Sequence, residues 1–257
     1  MALETKQVLV TVKAYPNPSK KHGETVCVAG IELKTNKWIR LYPIPYRDLD
    51  DEKKFKKYSI IEVRAEKARD DTRPESYKVD IDSIKILDSY DTSDKWERRK
   101  KVVLPTLSVS FCEILEKAQQ NIISLGVFKP KNVIFLQEKA TSKDQEKRKA
   151  CYTQLGFYDK RKDEIEPIPV TFKYSFFCYN APNCQGHSLS IIDWELGQSY
   201  RSWRWKYRDE TTLLEKIKER WLEGMCTKKQ DTYFFVGNWK RFRDNFMVLG
   251  VFYPPKE

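Results

Sequence analysis

Residues 178–195 read CYNAPNCQGHSLSIIDWE, a stretch of eighteen positions that holds two cysteines, a histidine and two carboxylates. Five residues separate Cys178 from Cys184 and two more lead to His187, while Pro182 and Gly186 let the chain turn so that all three side chains face one point. Zn²⁺ takes four ligands at tetrahedral angles and favours thiolate and imidazole. Cys226 is the expected fourth ligand, since Gly224 ends a helix just before it and the chain turns there toward a strand. The spacing therefore predicts a closed, structural zinc site. The plainer alternative makes Cys178 the end of a buried strand, Cys184 a loop thiol and His187 the start of the next strand. Cys27, Cys112 and Cys151 read as small core residues or incidental thiols.

Asp193 and Glu195 raise a second possibility, because carboxylates beside His187 can hold Mg²⁺ or activate water, as a metal-dependent nuclease or base-processing enzyme requires. Along a strand the three would share a face, but His187 would stand ~20 Å from Asp193. Gly197 occupies the position two residues after Glu195 where a common nuclease pattern carries lysine. An Asp before Trp-Glu-Leu reads more simply as a helix N-cap with the Glu in the first turn. No residue is assigned as catalytic. The chain has no G-x-x-x-x-G-K-S/T phosphate loop and no G-x-G-x-x-G, which disfavours nucleotide hydrolysis and dinucleotide redox chemistry.

Two stretches interleave rings with cations. In YRSWRWKYR (200–208), Arg201, Arg204 and Arg208 suit phosphates, and Trp203 or Trp205 could stack on a base, the alternative being that the rings are core. In WIRLYPIPYR (38–47), a strand puts Trp38, Arg40 and Tyr42 on one face and Ile39 and Leu41 on the other. An exposed Trp-Arg-Tyr face is expected to bind single-stranded nucleic acid, with Arg47 and Arg73 completing the patch from loops. The alternatives are cation–π packing at the surface, an inter-domain contact, or an Arg73 pair with Asp70 or Asp71.

These residues must be positioned by a chain of 257 residues, 40% hydrophobic and 13% aromatic, which is enough for two cores. Forty-eight Lys and Arg against 37 Asp and Glu leave +11, a surplus that attracts polyanions. DNA or RNA, single-stranded, is the expected partner, with a protein partner in a multi-component system also open. No window resembles a secretion signal or membrane span, so a soluble cytoplasmic protein is expected, its cysteines thiols or metal ligands.

Short β-rich runs at 7–15, 24–33, 37–44, 58–68 and 75–87 predict a small barrel of OB or SH3-like type. Helices are expected at 93–103, capped by Ser93 or Asp94, and at 108–122, then a strand at 132–139 and a charged connection at 140–154. The second half predicts strands at 168–178 and 187–195, helices at 197–208 and 211–224, and strands at 231–238 and 245–255. The fold class is mainly β with added α: two OB-like small barrels or barrel-like sheets with helical insertions. The division is an N-terminal domain over 1–140 and a C-terminal domain with the zinc site over 141–257.

The runs VCVAGIEL, KWIRLYPIPYRDL, KYSIIEV and DTRPES, followed by CYNAPNCQGH, DWE and FFVGN…LGVFYPP, resemble uncharacterised prokaryotic proteins described as dual OB-type domains, some found among genome-defence loci. The resemblance spans most of 7–140 and 168–255. It implies a nucleic-acid-binding scaffold and no particular reaction. The expected function is nucleic-acid binding on a zinc-stabilised scaffold, with the enzyme and a protein-interaction adaptor as alternatives.

Overall fold

The structure is a computed structural model that describes residues 3–15, 17–19, 23–141 and 168–256. In the N-terminal part, β1 (Glu4–Lys13), β3 (Gly23–Glu32), β4 (Lys37–Ile44), β6 (Ser76–Val79) and β5 (Ser59–Lys67) pair in that order, and β5 returns to β1. All pairs are antiparallel except β4 with β6. This is a closed five-stranded Greek-key barrel of OB type. The short strand β2 (Asn17–Ser19) adds to β3, and β7 (Lys85–Ser89) adds to β5. Alternation fills the interior with Val8, Val10, Val28, Ile39, Leu41, Ile61 and Val63.

Helices α1 (Ser93–Val103) and α2 (Phe111–Gln119) lead into β8 (Leu125–Phe128) and β9 (Pro130–Lys139). Then come β10 (Val170–Cys178), β11 (His187–Ser190), α3 (Trp194–Lys206), α4 (Glu210–Lys218), β12 (Tyr233–Asn238) and β13 (Phe246–Phe252). The strands form two three-stranded sheets, β11-β10-β9 and β13-β12-β8. At one seam the sheets are continuous, because β8 runs into β9. At the other, Ile191 bridges Val248 in parallel and the Ile192 N–H donates to the Val248 carbonyl at 2.9 Å. Taken around the circle, the strand order repeats that of the first barrel, including its one parallel junction, with α3 and α4 inserted between the third and fourth strands.

The expected division near residue 140 moves. β8 and β9 pair with β12 and β10, so the segment from α2 to β9 lies in the second barrel. Local periodicity carries no sign of pairings made so far along the chain. The charged connection expected at 140–154 falls almost wholly outside the described residues. The cap of α1 also differs: Asp94, Lys95 and Trp96 are left-handed, at φ 47°, 52° and 67°, before the right-handed helix begins. Such backbone costs ~1–2 kcal/mol per residue, and the turn seats the Trp96 ring against Phe252 and Tyr253, with centroids 5.5 and 4.9 Å apart.

The barrels share a third core. Leu9, Val12, Ile31, Tyr58 and Ile60 on the outside of the first meet Leu125, Val127, Phe235, Leu249 and Phe252 on the outside of the second. A bulge between Val10 and Val12 brings Val12 onto the outer face with Leu9. Strands buried on both faces read as nearly continuous apolar runs, which explains VLVTV and YFFV.

Candidate functional site

Cys178 ends β10, where the chain has run along the second core, and His187 starts β11, paired across from Phe176. Gly186, at φ 87°, makes the left-handed turn that brings the intervening loop back, and its missing Cβ leaves room for the Phe177 ring. That loop delivers Cys184, whose sulfur accepts the Cys178 backbone N–H at 3.3 Å. The fourth member of the group is Cys112 on the first turn of α2, not Cys226. The ligand atoms of Cys112, Cys178, Cys184 and His187 all lie within 4.8 Å of one another.

The geometry suits a tetrahedral ion. Two thiolates on one Zn²⁺ stand about 3.8 Å apart, and the Cys112 and Cys178 sulfurs are 3.8 Å apart. His187 Nε2 is 3.3 Å from the Cys112 sulfur, with its ring edge-on to Phe111 at 4.8 Å. Burial, with Cys178 alongside, pushes the Cys112 thiol up to about 12, and burial also raises Cys178. At Cys184 burial works upward too, but the N–H groups of Cys178 and Gly186 outweigh it and lower the thiol. Burial lowers His187, which favours the neutral imidazole that ligates. A metal entering this group must release thiol protons.

Cys226 lies elsewhere, its sulfur 3.7 Å from the Trp221 carbonyl, and burial pushes its thiol up to about 12. The helix stop after Gly224 does turn the chain, but toward Trp221. Cys112 gave little sign in sequence, because a lone cysteine in an amphipathic helix looks like packing.

Asp193 caps α3, accepting the Glu195 N–H at 2.9 Å, and its two carboxylate oxygens lie 2.7 and 2.6 Å from Lys57 Nζ. The Lys57 side chain is 8% exposed. Burial works against its charge, but Asp193 and Glu195 outweigh that and hold the ammonium above the ordinary lysine range. The pair ties the two barrels together, while His187 is engaged in the thiol group. Of the three residues weighed as a hydrolytic set, Asp193 and Glu195 thus face Lys57, while His187 faces the thiols.

Trp38, Arg40 and Tyr42 do share a face of β4, but the second barrel covers much of it. Trp38 packs edge-on against Phe235 at 5.7 Å. Arg40 is 1% exposed and donates to the Ser124 hydroxyl at 2.7 Å and carbonyl at 3.1 Å. Glu75 in turn accepts from the Ser124 N–H at 2.7 Å and hydroxyl at 2.5 Å. The exposed face expected there is an inter-barrel contact for these two residues. Strand parity gives the face, and nothing local reveals what covers it.

Tyr42 stands at the rim of that contact, in a cleft of about 390 Å³ between the barrels. The cleft runs from Tyr15 and Arg40 past Tyr77 and Arg73 to Asn238 and Trp239. Arg73 forms a fork with Asp71 at 3.0 and 2.7 Å and donates to the Asn238 carbonyl at 2.7 Å. Arg73 lowers the Asp71 carboxyl to about 2, against the upward pull of burial. On α3, Arg201 lies 5.7 Å from the Tyr15 ring and Arg204 5.0 Å from that of Trp205, which is 77% exposed. Trp203 is half-buried against Trp221. Arg47 and Arg208 are exposed and do not line the cleft.

At the mouth lies a loop that the sequence reading passed over, WKRFR at 239–243, joining β12 to β13. Trp239 and Phe242 are 40% and 65% exposed there, among Lys240, Arg241 and Arg243. Its alternation of rings and cations is the same signal as in 200–208.

Residues 107–257 match the family model of a domain of unknown function, DUF8757. The chain belongs to that family. Residues 4–105 match a second domain of unknown function, DUF8758. The junction falls where the first barrel and α1 give way to α2, so the DUF8757 unit contains the whole Cys/His group and the DUF8758 unit supplies the closed barrel. No curated protein matches the chain. Among the described residues no helix is long and apolar enough to cross a membrane.

Proposed function

We propose that the chain binds single-stranded nucleic acid through the inter-barrel cleft and its basic rim, with Zn²⁺ in the Cys/His group as a structural stitch. The observation that carries this reading is the position of the cleft. It opens on the outer β3–β4 face of the first barrel, next to the loop between β5 and β6, and OB barrels take oligonucleotides on this face and its adjoining loops. Rings at Tyr42, Tyr77 and Trp239 suit base stacking, and Lys240, Arg241 and Arg201 suit the backbone. The +11 surplus favours the encounter.

For the metal, three sulfurs and one imidazole fill a tetrahedral shell with protein ligands alone, as in structural zinc sites. Described cysteines present as free thiols suit a reducing compartment such as the cytoplasm. The resemblance to dual OB-type proteins of genome-defence loci would make the strand part of a defence response, with room for a protein partner.

Titration of single-stranded DNA and RNA oligonucleotides at several salt concentrations tests the proposal. Affinity is expected to fall steeply with salt, and Lys240→Gln with Arg241→Gln should flatten the log–log slope by ~0.7 per lost phosphate contact. Absent or salt-insensitive binding would favour the adaptor instead. Strand cleavage lost in Asp193→Asn, in protein that remains folded, would favour the enzyme.

A further inference from the structure

We infer that the cleft between the barrels seats the C5-methyl edge of an unpaired pyrimidine, so that thymine and 5-methylcytosine are held in preference to uracil and cytosine. The inference rests on the single-stranded nucleic-acid reading for delivery of the base and adds which base the cleft selects. Strand parity decides what the first barrel presents. Val26, Val28, Ile39 and Leu41 fill its interior, so Thr25, Cys27, Arg40 and Tyr42 face outward into the cleft. Opposite them, Phe246 and Val248 belong to the core of the second barrel, and Met247 and Leu249 face the first. Met247 and Leu249 are 6% and 4% exposed, and with Cys27 and Ile192 they make the floor. Trp239, Lys240 and Lys78 are exposed and make the mouth.

The buried polar groups around this floor are already engaged. Arg40 donates to Ser124, the Thr25 hydroxyl donates to that of Tyr42 at 3.2 Å, and the Ser76 hydroxyl donates to Asp71 at 3.0 Å, where Arg73 completes the fork. A group that reaches the floor meets a thiol, a thioether and branched carbons, and a polar atom there would lose its water without gaining a partner. Purines carry nitrogen or oxygen on each long edge, whereas a pyrimidine has one apolar edge, C5–C6, which a C5 methyl extends. With that edge down, the C2 carbonyl and N3 turn toward the mouth and solvent. Tyr42 and Trp239 supply ring surface for the base plane. Lys78 and Lys240, the latter 3.2 Å from Asp70, supply charge for the flanking phosphates. The volume of about 390 Å³ lies within the ~300–1,000 Å³ usual for small-molecule sites. Free thymidine monophosphate carries the same edge, and the test separates it from a strand.

The full chain is titrated with homopolymer strands on one deoxyribose backbone, thymine against uracil and 5-methylcytosine against cytosine, and with free TMP and UMP. Each methylated strand should bind roughly four-fold tighter than its counterpart for each base seated. Cys27→Leu, which fills the floor, should bring each pair to equal affinity. Cys27→Ser, which keeps the size and adds a hydroxyl, should narrow the ratio and keeps the test valid if the leucine variant fails to fold. Salt-dependent binding with equal affinity for thymine and uracil strands would overturn the methyl pocket and leave the strand reading standing. A methyl preference unchanged in both Cys27 variants would place the methyl elsewhere and overturn the pocket as well. TMP bound more tightly than UMP, with no strand bound, would keep the pocket for a free nucleotide and overturn the strand reading. Binding of an acidic peptide with one tryptophan, and of no strand or nucleotide, would give the cleft to a protein partner and overturn both. Failure of every probe would also overturn both.

Discussion

The two barrels have the same strand order and close by different means. In the first, the one parallel junction is a short ladder in which Arg40 and Leu41 of β4 pair with Ser76 and Tyr77 of β6. In the second, the matching junction between β11 and β13 is the isolated bridge at Ile191 and Val248. There the Cys/His group lies at the tip of the β10–β11 hairpin and ties it to α2, whose Phe111, Ile114 and Ala118 enter the core. The difference teaches that a barrel short of ladder bonds can be fastened by side chains, and a metal held by this group would have a mechanical role.

The largest effect should come from removing that fastening. Structural zinc contributes on the order of 10 kcal/mol in small zinc domains, so Cys112→Ser or Cys178→Ser should lose the ion together with the near-ultraviolet dichroism of the second barrel. Cys226→Ser should keep the ion, as measured by elemental analysis. Protein that purifies without metal, with serine variants as stable as the parent, would break the comparison.

Next comes the tie between barrels. Lys57→Met strands the buried Asp193 carboxylate and should cost ~3–5 kcal/mol in urea unfolding. Lys57→Met combined with Asp193→Asn should recover part of that, because no lone charge remains. A single mutant unchanged in stability would show that the pair fastens nothing.

The smallest effect concerns pH. Asp71 is lowered from 3.8 to about 2 in the fold, so its stabilising fork with Arg73 is fully present above pH ~4 and is lost as pH falls through about 2. Asp71→Asn should remove that part of the acid transition, read by tryptophan fluorescence. An unchanged acid limb would mean that the β5–β6 loop holds its shape without the fork.

Much of this was legible in the sequence. Alternating runs mark the strands of both barrels except β8, with the run at 75–87 dividing into β6 and β7, and the Cys178, Cys184 and His187 spacing marks three members of the Cys/His group. Cys112 was hidden because its partners lie far along the chain and its helix looks like ordinary packing. The parity of Trp38, Arg40 and Tyr42 was readable, but their cover comes from Phe235 and Ser124, which only the tertiary fold brings near. The alternation of rings and cations at 239–243 is also visible in the sequence, but the flanking apolar strands make that stretch look like a connector.

The outward apolar faces that Leu9, Ile31, Phe235 and Leu249 press together have a calorimetric consequence. Neither unit can melt without wetting a surface of the other, so heating the metal-loaded protein should give a single endotherm whose van't Hoff and calorimetric enthalpies agree. Two sequence families would then correspond to one cooperative folding unit, and a gene cut at residue 106 would yield two sticky halves in place of two usable modules.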